Sequence, residues 1–303
     1  MDYPKQVTII EVGPRDGLQN EAVFVPSAQK VALIDALSKT GLKHIEVTSF
    51  VSEKSIPQLA DNALVFSTIN QLAEVHYSVL VPNEKGMINA LACGVKNIAV
   101  FTAASELFNQ RNIHCSINDS IERFKPVIKQ AQKHHIHVRA YISCVLGCPY
   151  EGAIAPQKVA QVMQQLLDLG VDEICLGDTI GVGTPLQTQK ILDHVLPLIP
   201  IHQLAMHFHD TYGQGIANVF ASLQYGVHRF DSAVAGLGGC PYALGATGNI
   251  ATEDVLYLMH GLGITTGVDI YKVIEAGHQL CTFLGKKNQS KVANAMLANP
   301  CTE

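Results

Sequence analysis

Short runs rich in apolar and β-branched residues alternate with longer amphipathic stretches along the whole chain. Eight such runs predict strands: 7–12 (VTIIEV), 44–49 (HIEVTS), 76–81 (HYSVLV), 97–102 (NIAVFT), 137–143 (HVRAYIS), 173–178 (EICLGD), 204–209 (LAMHFH) and 229–235 (RFDSAVA). Between them, apolar residues recur at helical spacing. In SAQKVALIDALSKTG, Val31, Ile34 and the Leu37–Leu42 stretch form one stripe, with Ser27 placed to cap its start and Gly41 to close it. PQKVAQVMQQLLDLG repeats the plan, with Pro156 in the first turn and Gly170 at the end.

Four times a helix passes through a glycine into the next strand: LSKTGLKHIEV, LACGVKNIAV, LLDLGVDEIC and LQYGVHRFD. That phrase is the signature of βα units. Eight of them predict an α/β protein with a closed (β/α)8 TIM barrel. An open doubly wound sheet would carry G-x-G-x-x-G after its first strand, and this chain has GPRDG there. TEDVLYLMHGLG supplies the eighth helix, and DIYKVIEAGHQLCTFLG a further one, too short for a second domain. One catalytic domain over residues 1–303 is expected, with the barrel over about 5–260 and a C-terminal helical cap over about 261–303.

The chain has 303 residues and 48% hydrophobic content, enough for a large core. Its 21 basic residues against 26 acidic ones give −5, and no basic footprint marks nucleic acid as a partner. No apolar run nears the roughly 20 residues needed to cross a bilayer. The N-terminus has neither a signal-peptide nor a presequence layout. A bacterial-type cytoplasmic protein without a membrane partner is the expectation. The eight cysteines form no C-x-x-C pair and read as reduced, mostly buried thiols. Cys240 differs, because it lies in a glycine-rich loop.

In this fold, catalytic groups gather at the C-terminal ends of the strands. His207 and His209 end strand seven at i, i+2, so both rings face one side. Strand one ends in Glu11 and runs into Arg15 and Asp16; strand two carries Glu46, Thr48 and Ser49; strand six ends in Asp178. After strand eight come Cys240 and Asn249. Asp16, His207, His209 and the amide oxygen of Asn249 form a mixed N/O set that suits Mg²⁺ or Mn²⁺. Plainer roles stand beside these. Arg15 and Asp16 can pair across a loop, Asn249 can be a turn residue, Asp178 can cap a helix, and Glu46 can be a buried partner of Arg15. His44, His76, His114, His134, His135 and His137 receive no role.

GPRDGLQNE (13–21), IEVTSFVS (45–52), HFHDTYGQGIAN (207–218) and GLGGCPYALGATGNIATED (236–254) closely resemble the 3-hydroxy-3-methylglutaryl-CoA lyases. The likeness runs from about residue 5 to 294. The first and third motifs are shared across a wider metal-dependent barrel superfamily; the cysteine-bearing loop is specific to the lyase branch. The resemblance implies a divalent metal, Mg²⁺ or Mn²⁺, on Asp16, His207, His209 and Asn249. It implies that Arg15 stabilises an enolate and that Cys240 is the catalytic cysteine of a glycine loop. Glu46 and Asp178 match polar active-site residues, and Gln19 and Ser49 join Arg15 and Asp178 as candidate substrate-binding groups. The implied reaction cleaves 3-hydroxy-3-methylglutaryl-CoA to acetyl-CoA and acetoacetate, as in leucine degradation, with no organic cofactor beyond the CoA of the substrate. Asp16 and His207 both stand as candidate bases. A homodimer is implied as well. The rival readings are an isopropylmalate- or homocitrate-type condensing enzyme and a hydroxy-oxo-acid aldolase. The condensing enzymes carry a C-terminal extension and lack the GGCPYA cysteine.

Overall fold

The computed structural model describes residues 3–239 and 248–298. Eight parallel strands form a closed barrel in chain order: β1 (Thr8–Glu11), β2 (His44–Ser49), β3 (His76–Leu80), β4 (Asn97–Ala103), β5 (His137–Ser143), β6 (Glu173–Asp178), β7 (Leu204–Phe208) and β8 (Arg229–Ser232). β8 closes onto β1 with Ile10 opposite Asp231. Each strand falls on a run that the alternation of the sequence marks out. β8 is shorter than its run, because the chain turns over Val234–Gly236 with Ala235 at φ +59°.

Eleven helices are described: α1 (Ser27–Ser38), α2 (Asn62–Thr68), α3 (Glu84–Ala92), α4 (Glu106–Ile113), α5 (Ile117–Lys133), α6 (Pro156–Asp168), α7 (Pro185–Val195), α8 (Gly215–Leu223), α9 (Thr252–Gly261), α10 (Ile270–Leu284) and α11 (Lys291–Ala298). Among the described residues no helix is long and apolar enough to cross a membrane. The main core fills the space between sheet and helices. A second, smaller cluster of Leu80, Ala99, Tyr141, Cys175 and Ala205 comes from five successive strands, β3 to β7.

Ser27 does not cap α1. It is the first helical residue, and its hydroxyl donates to Asp61 Oδ2 at 2.6 Å. The buried Lys30 donates to the same carboxylate at 2.6 Å, so Asp61 ties down the first turn of α1 while Pro26 occupies the N-cap position. Gly41 does close the α1–β2 connection, at φ +97°. A Cβ there would lie 2.1 Å from the Gly267 carbonyl oxygen, so the segment before α10 packs directly on it. α10 rests against α1, α9 and the Val234–Gly236 turn. The C-terminal helices thus brace the chain where it leaves β8. The six described cysteines form no disulfide with one another, and five of them are buried.

Candidate functional site

After β1 the backbone makes one unusually wide helical turn over Gly13–Gly17. The N–H groups of Arg15, Asp16 and Gly17 all donate to the Val12 carbonyl, at 3.2, 2.8 and 3.2 Å. Such i→i+5 turns are rare and recur at functional sites. Gly17 permits it here, since a Cβ would lie 2.7 Å from Leu237 Cβ. The turn presents Arg15 and Asp16 at the barrel mouth. Glu11 serves as its anchor, accepting from the N–H groups of Gly13 (2.7 Å) and Val234 (2.9 Å) and from the Thr252 hydroxyl (2.6 Å).

One strand away from β1 across β8, the end of β7 clamps the segment beyond the glycine loop. His209 and Asn249 form an antiparallel bridge, Asp210 N–H donates to Gly248 O at 2.9 Å, and Ile250 N–H donates to Phe208 O at 3.1 Å. This brings together four of the residues singled out from sequence. Ligating atoms of Asp16, His207 and His209 lie within 4.8 Å of one another. Asn249 Nδ2 donates to Asp16 Oδ2 at 2.8 Å and to Leu237 O at 3.1 Å.

Two atoms of this cluster are buried without a hydrogen-bond partner: Asn249 Oδ1 and His209 Nδ1. Buried polar atoms are rarely left so. A carboxylate and two imidazoles converging on one space, with an unpartnered amide oxygen on the adjoining Asn249, fit a divalent cation with N/O preference. Charge agrees. Burial opposes ionisation of Asp16, but Arg15, His207, His209 and the Asn249 amide outweigh it and hold the carboxyl at about 2. Burial and the neighbouring His207 push His209 down to about 3, so its ring is neutral at pH 7.

Around the cluster lies a buried polar network. Arg15 Nε donates to Glu46 Oε1, and its Nη1 donates to Asp16 Oδ1 at 2.6 Å. Tyr141 donates to Glu46 Oε2 at 3.0 Å, and its ring lies 5.6 Å from the Arg15 guanidinium. The Arg15–Asp16 pair and the Glu46–Arg15 pair, read from sequence as plainer alternatives, both exist, and they aim the arginine. Burial opposes the charge on Arg15, but Glu46 and Asp16 outweigh it and raise the guanidinium pKa above its ordinary value.

Gln19 lines the cavity above the cluster. Ser49 is buried, its hydroxyl donating to Leu80 O at 3.4 Å and accepting from Val51 N–H at 3.2 Å. Asp178 is fully buried and accepts from Val182 N–H (3.2 Å) and Gly183 N–H (2.9 Å), pinning the loop before α7. Burial raises its pKa to about 6. Cys240 lies outside the described residues.

Three residues that the sequence reading passed over belong here: Tyr141, Arg139 and Asp231. Asp231 Oδ2 lies 3.1 Å from His207 Nδ1, and Oδ1 accepts from Arg139 Nη2 at 2.6 Å. Arg139 and Tyr141 alternate along HVRAYIS at i, i+2, and Asp231 sits two residues after Arg229 inside a strand. Period-two polar positions in strands of a closed barrel point into its lumen. That was the available signal.

The cavity above the cluster has a volume of about 930 Å³. Its lining includes Arg15, Asp16, His207 and His209, and also Val51, Phe108, His114 and Arg123. It is much larger than a glutarate-sized acid requires, and Arg123 adds a second guanidinium to its lining.

The HMGL-like family model matches residues 6–280. A Pseudomonas aeruginosa protein, 3-hydroxy-3-isohexenylglutaryl-CoA/hydroxy-methylglutaryl-CoA lyase, is 56% identical over 298 residues, covering 98% of this chain and 99% of that one. The crystal structure of hydroxymethylglutaryl-CoA lyase from Pseudomonas aeruginosa superposes with a TM-score of 0.97 at 56% identity, covering 99% of this chain and 100% of that one. An HMG-CoA lyase from Acinetobacter baumannii, solved with coenzyme A and 3-methylmalate, gives 0.93 at 38% identity over 97% of this chain and 96% of that one. The chain belongs to the HMGL-like family, among its hydroxymethylglutaryl-CoA lyases.

Proposed function

We propose that this protein is a divalent-metal-dependent lyase that cleaves 3-hydroxy-3-methylglutaryl-CoA to acetoacetate and acetyl-CoA. The observation that carries the reading is the convergence of Asp16, His207 and His209 with the unpartnered amide oxygen of Asn249, beside a cationic Arg15, at the foot of a large cavity. Asp16, His207, His209 and Asn249 would hold the metal, Mg²⁺ or Mn²⁺. When bound, it would lower the pKa of the substrate's tertiary hydroxyl, which is far too weak an acid to ionise unaided.

The chain's own groups supply the rest. The hydroxyl proton departs, the oxygen's electron pair forms the ketone of acetoacetate, and the C2–C3 bond breaks. Its electrons move onto the thioester as an enolate. Arg15, held by Glu46 and Asp16, would donate to that oxygen. A proton delivered to the enolate carbon completes acetyl-CoA. Cys240 is our candidate donor, since a thiol near its ordinary pKa of about 8.5 is protonated at neutral pH. Asp16 and His207 both stand as candidate bases: Asp16 Oδ1 and Oδ2 accept from Arg15 and Asn249, and a His207 nitrogen that ligates the metal cannot also take the proton. Arg123 in the cavity lining suits the phosphates of a CoA thioester.

Incubation with 3-hydroxy-3-methylglutaryl-CoA should yield acetoacetate and acetyl-CoA in equal amounts. Failure to release acetoacetate under conditions where the protein binds Mg²⁺ or Mn²⁺ would refute the reading.

A further inference from the structure

Behind His207 stands a chain of buried charges. Asp231 on β8 is in register with His207 on β7 and is 1% exposed. Its Oδ1 accepts from Arg139 Nη2 at 2.6 Å. Arg139 Nε lies 2.9 Å from Glu173 Oε1, and Arg229 Nη2 donates to Glu173 Oε2 at 2.7 Å. A guanidinium only donates. Arg139 therefore fixes Asp231 as an acceptor, and Asp231 Oδ2 can offer His207 Nδ1 nothing but a lone pair. Nδ1 must carry the ring proton. Nε2 is then left with its lone pair free for the cluster of Asp16 and His209.

We propose that Arg139 and Asp231 are positioning residues that set the tautomer of His207 and, through it, the affinity of the site for a divalent cation. The inference rests on the metal reading above. It makes a sharp prediction for Asp231→Asn, a change of one atom. Arg139 still donates, so the amide must turn its oxygen to Arg139 and its NH₂ to His207. Nδ1 then has to accept, Nε2 takes the proton, and the lone pair needed by a metal is gone. Removing the guanidinium as well should undo this. In Asp231→Asn/Arg139→Met the amide is free to turn its oxygen back to His207.

The test combines two measurements on the full chain. The ¹⁵N spectrum of metal-free, histidine-labelled protein, assigned by loss of signal in His207→Gln, reads the tautomer directly. Mn²⁺ titration followed by electron paramagnetic resonance reads the affinity. Wild-type protein should show an Nδ1–H ring. Asp231→Asn should show Nε2–H and bind Mn²⁺ about 10–100-fold more weakly, and the double variant should recover both properties in part. An Nε2–H ring in the wild type overturns the proposal without any variant having to fold. Unchanged Mn²⁺ affinity in a folded Asp231→Asn protein also overturns it. Absence of Mn²⁺ binding by the wild type would instead overturn the metal reading on which it stands.

Discussion

Arg15 makes two charged contacts in different directions, Nε to Glu46 and Nη1 to Asp16. A lysine offers one point charge and cannot span both. Arg15→Lys should lower kcat about 10²–10³-fold, the usual cost of losing a preorganised donor, while Mn²⁺ titration shows the metal still bound. A near-normal kcat would remove Arg15 from enolate stabilisation. Cys240→Ser should lower turnover about 10²-fold or more with Mn²⁺ affinity unchanged, and a near-normal rate would exclude the thiol as the donor. At this scale the sequence exposed what ends a strand. Asp16, His207, His209 and Asn249 sit where a barrel gathers its chemistry, and the structure brings them together. It hid what lies inside a strand. Asp231, Arg139 and Tyr141 read as ordinary strand positions until closure of the sheet gave them a common lumen.

Among the elements, the most constrained is the stem that delivers Asn249. Gly248 has φ +84°, and a Cβ there would lie 2.4 Å from Gly238 O, a backbone atom that cannot yield. Gly248→Ala combines a disfavoured backbone conformation with that clash. It should displace Asn249 and weaken Mn²⁺ binding about 10-fold or more, with far-UV circular dichroism close to wild type. Unchanged Mn²⁺ affinity would show that the stem does not position the amide. The strands were legible because β-branched runs recur at the spacing of βα units. α4 and α11 were not, because each has eight residues and too few apolar turns to show a period. α11 also takes its N-terminal partner from another helix: Asp254 of α9 accepts from Val292 N–H at 3.0 Å and from the Ser290 hydroxyl at 2.6 Å. Ser27 is not the cap of α1 because the helix already includes it, with Pro26 at the N-cap position.

For the molecule as a whole, buried titratable groups bound the pH range of stability from both sides. On the N-terminal face of the barrel, His44 and His76 stack with ring centroids 4.9 Å apart. Burial, then Arg229, His76, Arg139 and His137, depress the His44 pKa from 6.5 to about 3. Between those values the unfolded chain binds the proton and the folded one does not, so stability is lost as pH falls from about 6.5 toward 3. His44→Asn should flatten that acid limb of Tm against pH. Glu253 acts in the opposite direction. Burial raises it from 4.5 to about 8, and both its oxygens accept from the Ala235 N–H, at 2.9 and 3.0 Å. Here the folded state holds the proton longer, so stability declines as pH rises from 4.5 through 8. Glu253→Gln should flatten the alkaline limb; an unaltered limb would mean that another group sets it. Neither effect was visible in sequence, where His44 and Glu253 had no assigned environment. The architecture itself was visible, because eight repeats of one unit leave few ways to close.

The claim on which everything else depends is that Asp16, His207, His209 and Asn249 hold a divalent metal that the cleavage requires. Acetoacetate release from 3-hydroxy-3-methylglutaryl-CoA, measured after exhaustive chelation and again after adding back Mg²⁺ or Mn²⁺, tests it most directly. The account predicts that activity disappears with the metal and returns with it. Full activity in the chelated protein would contradict it.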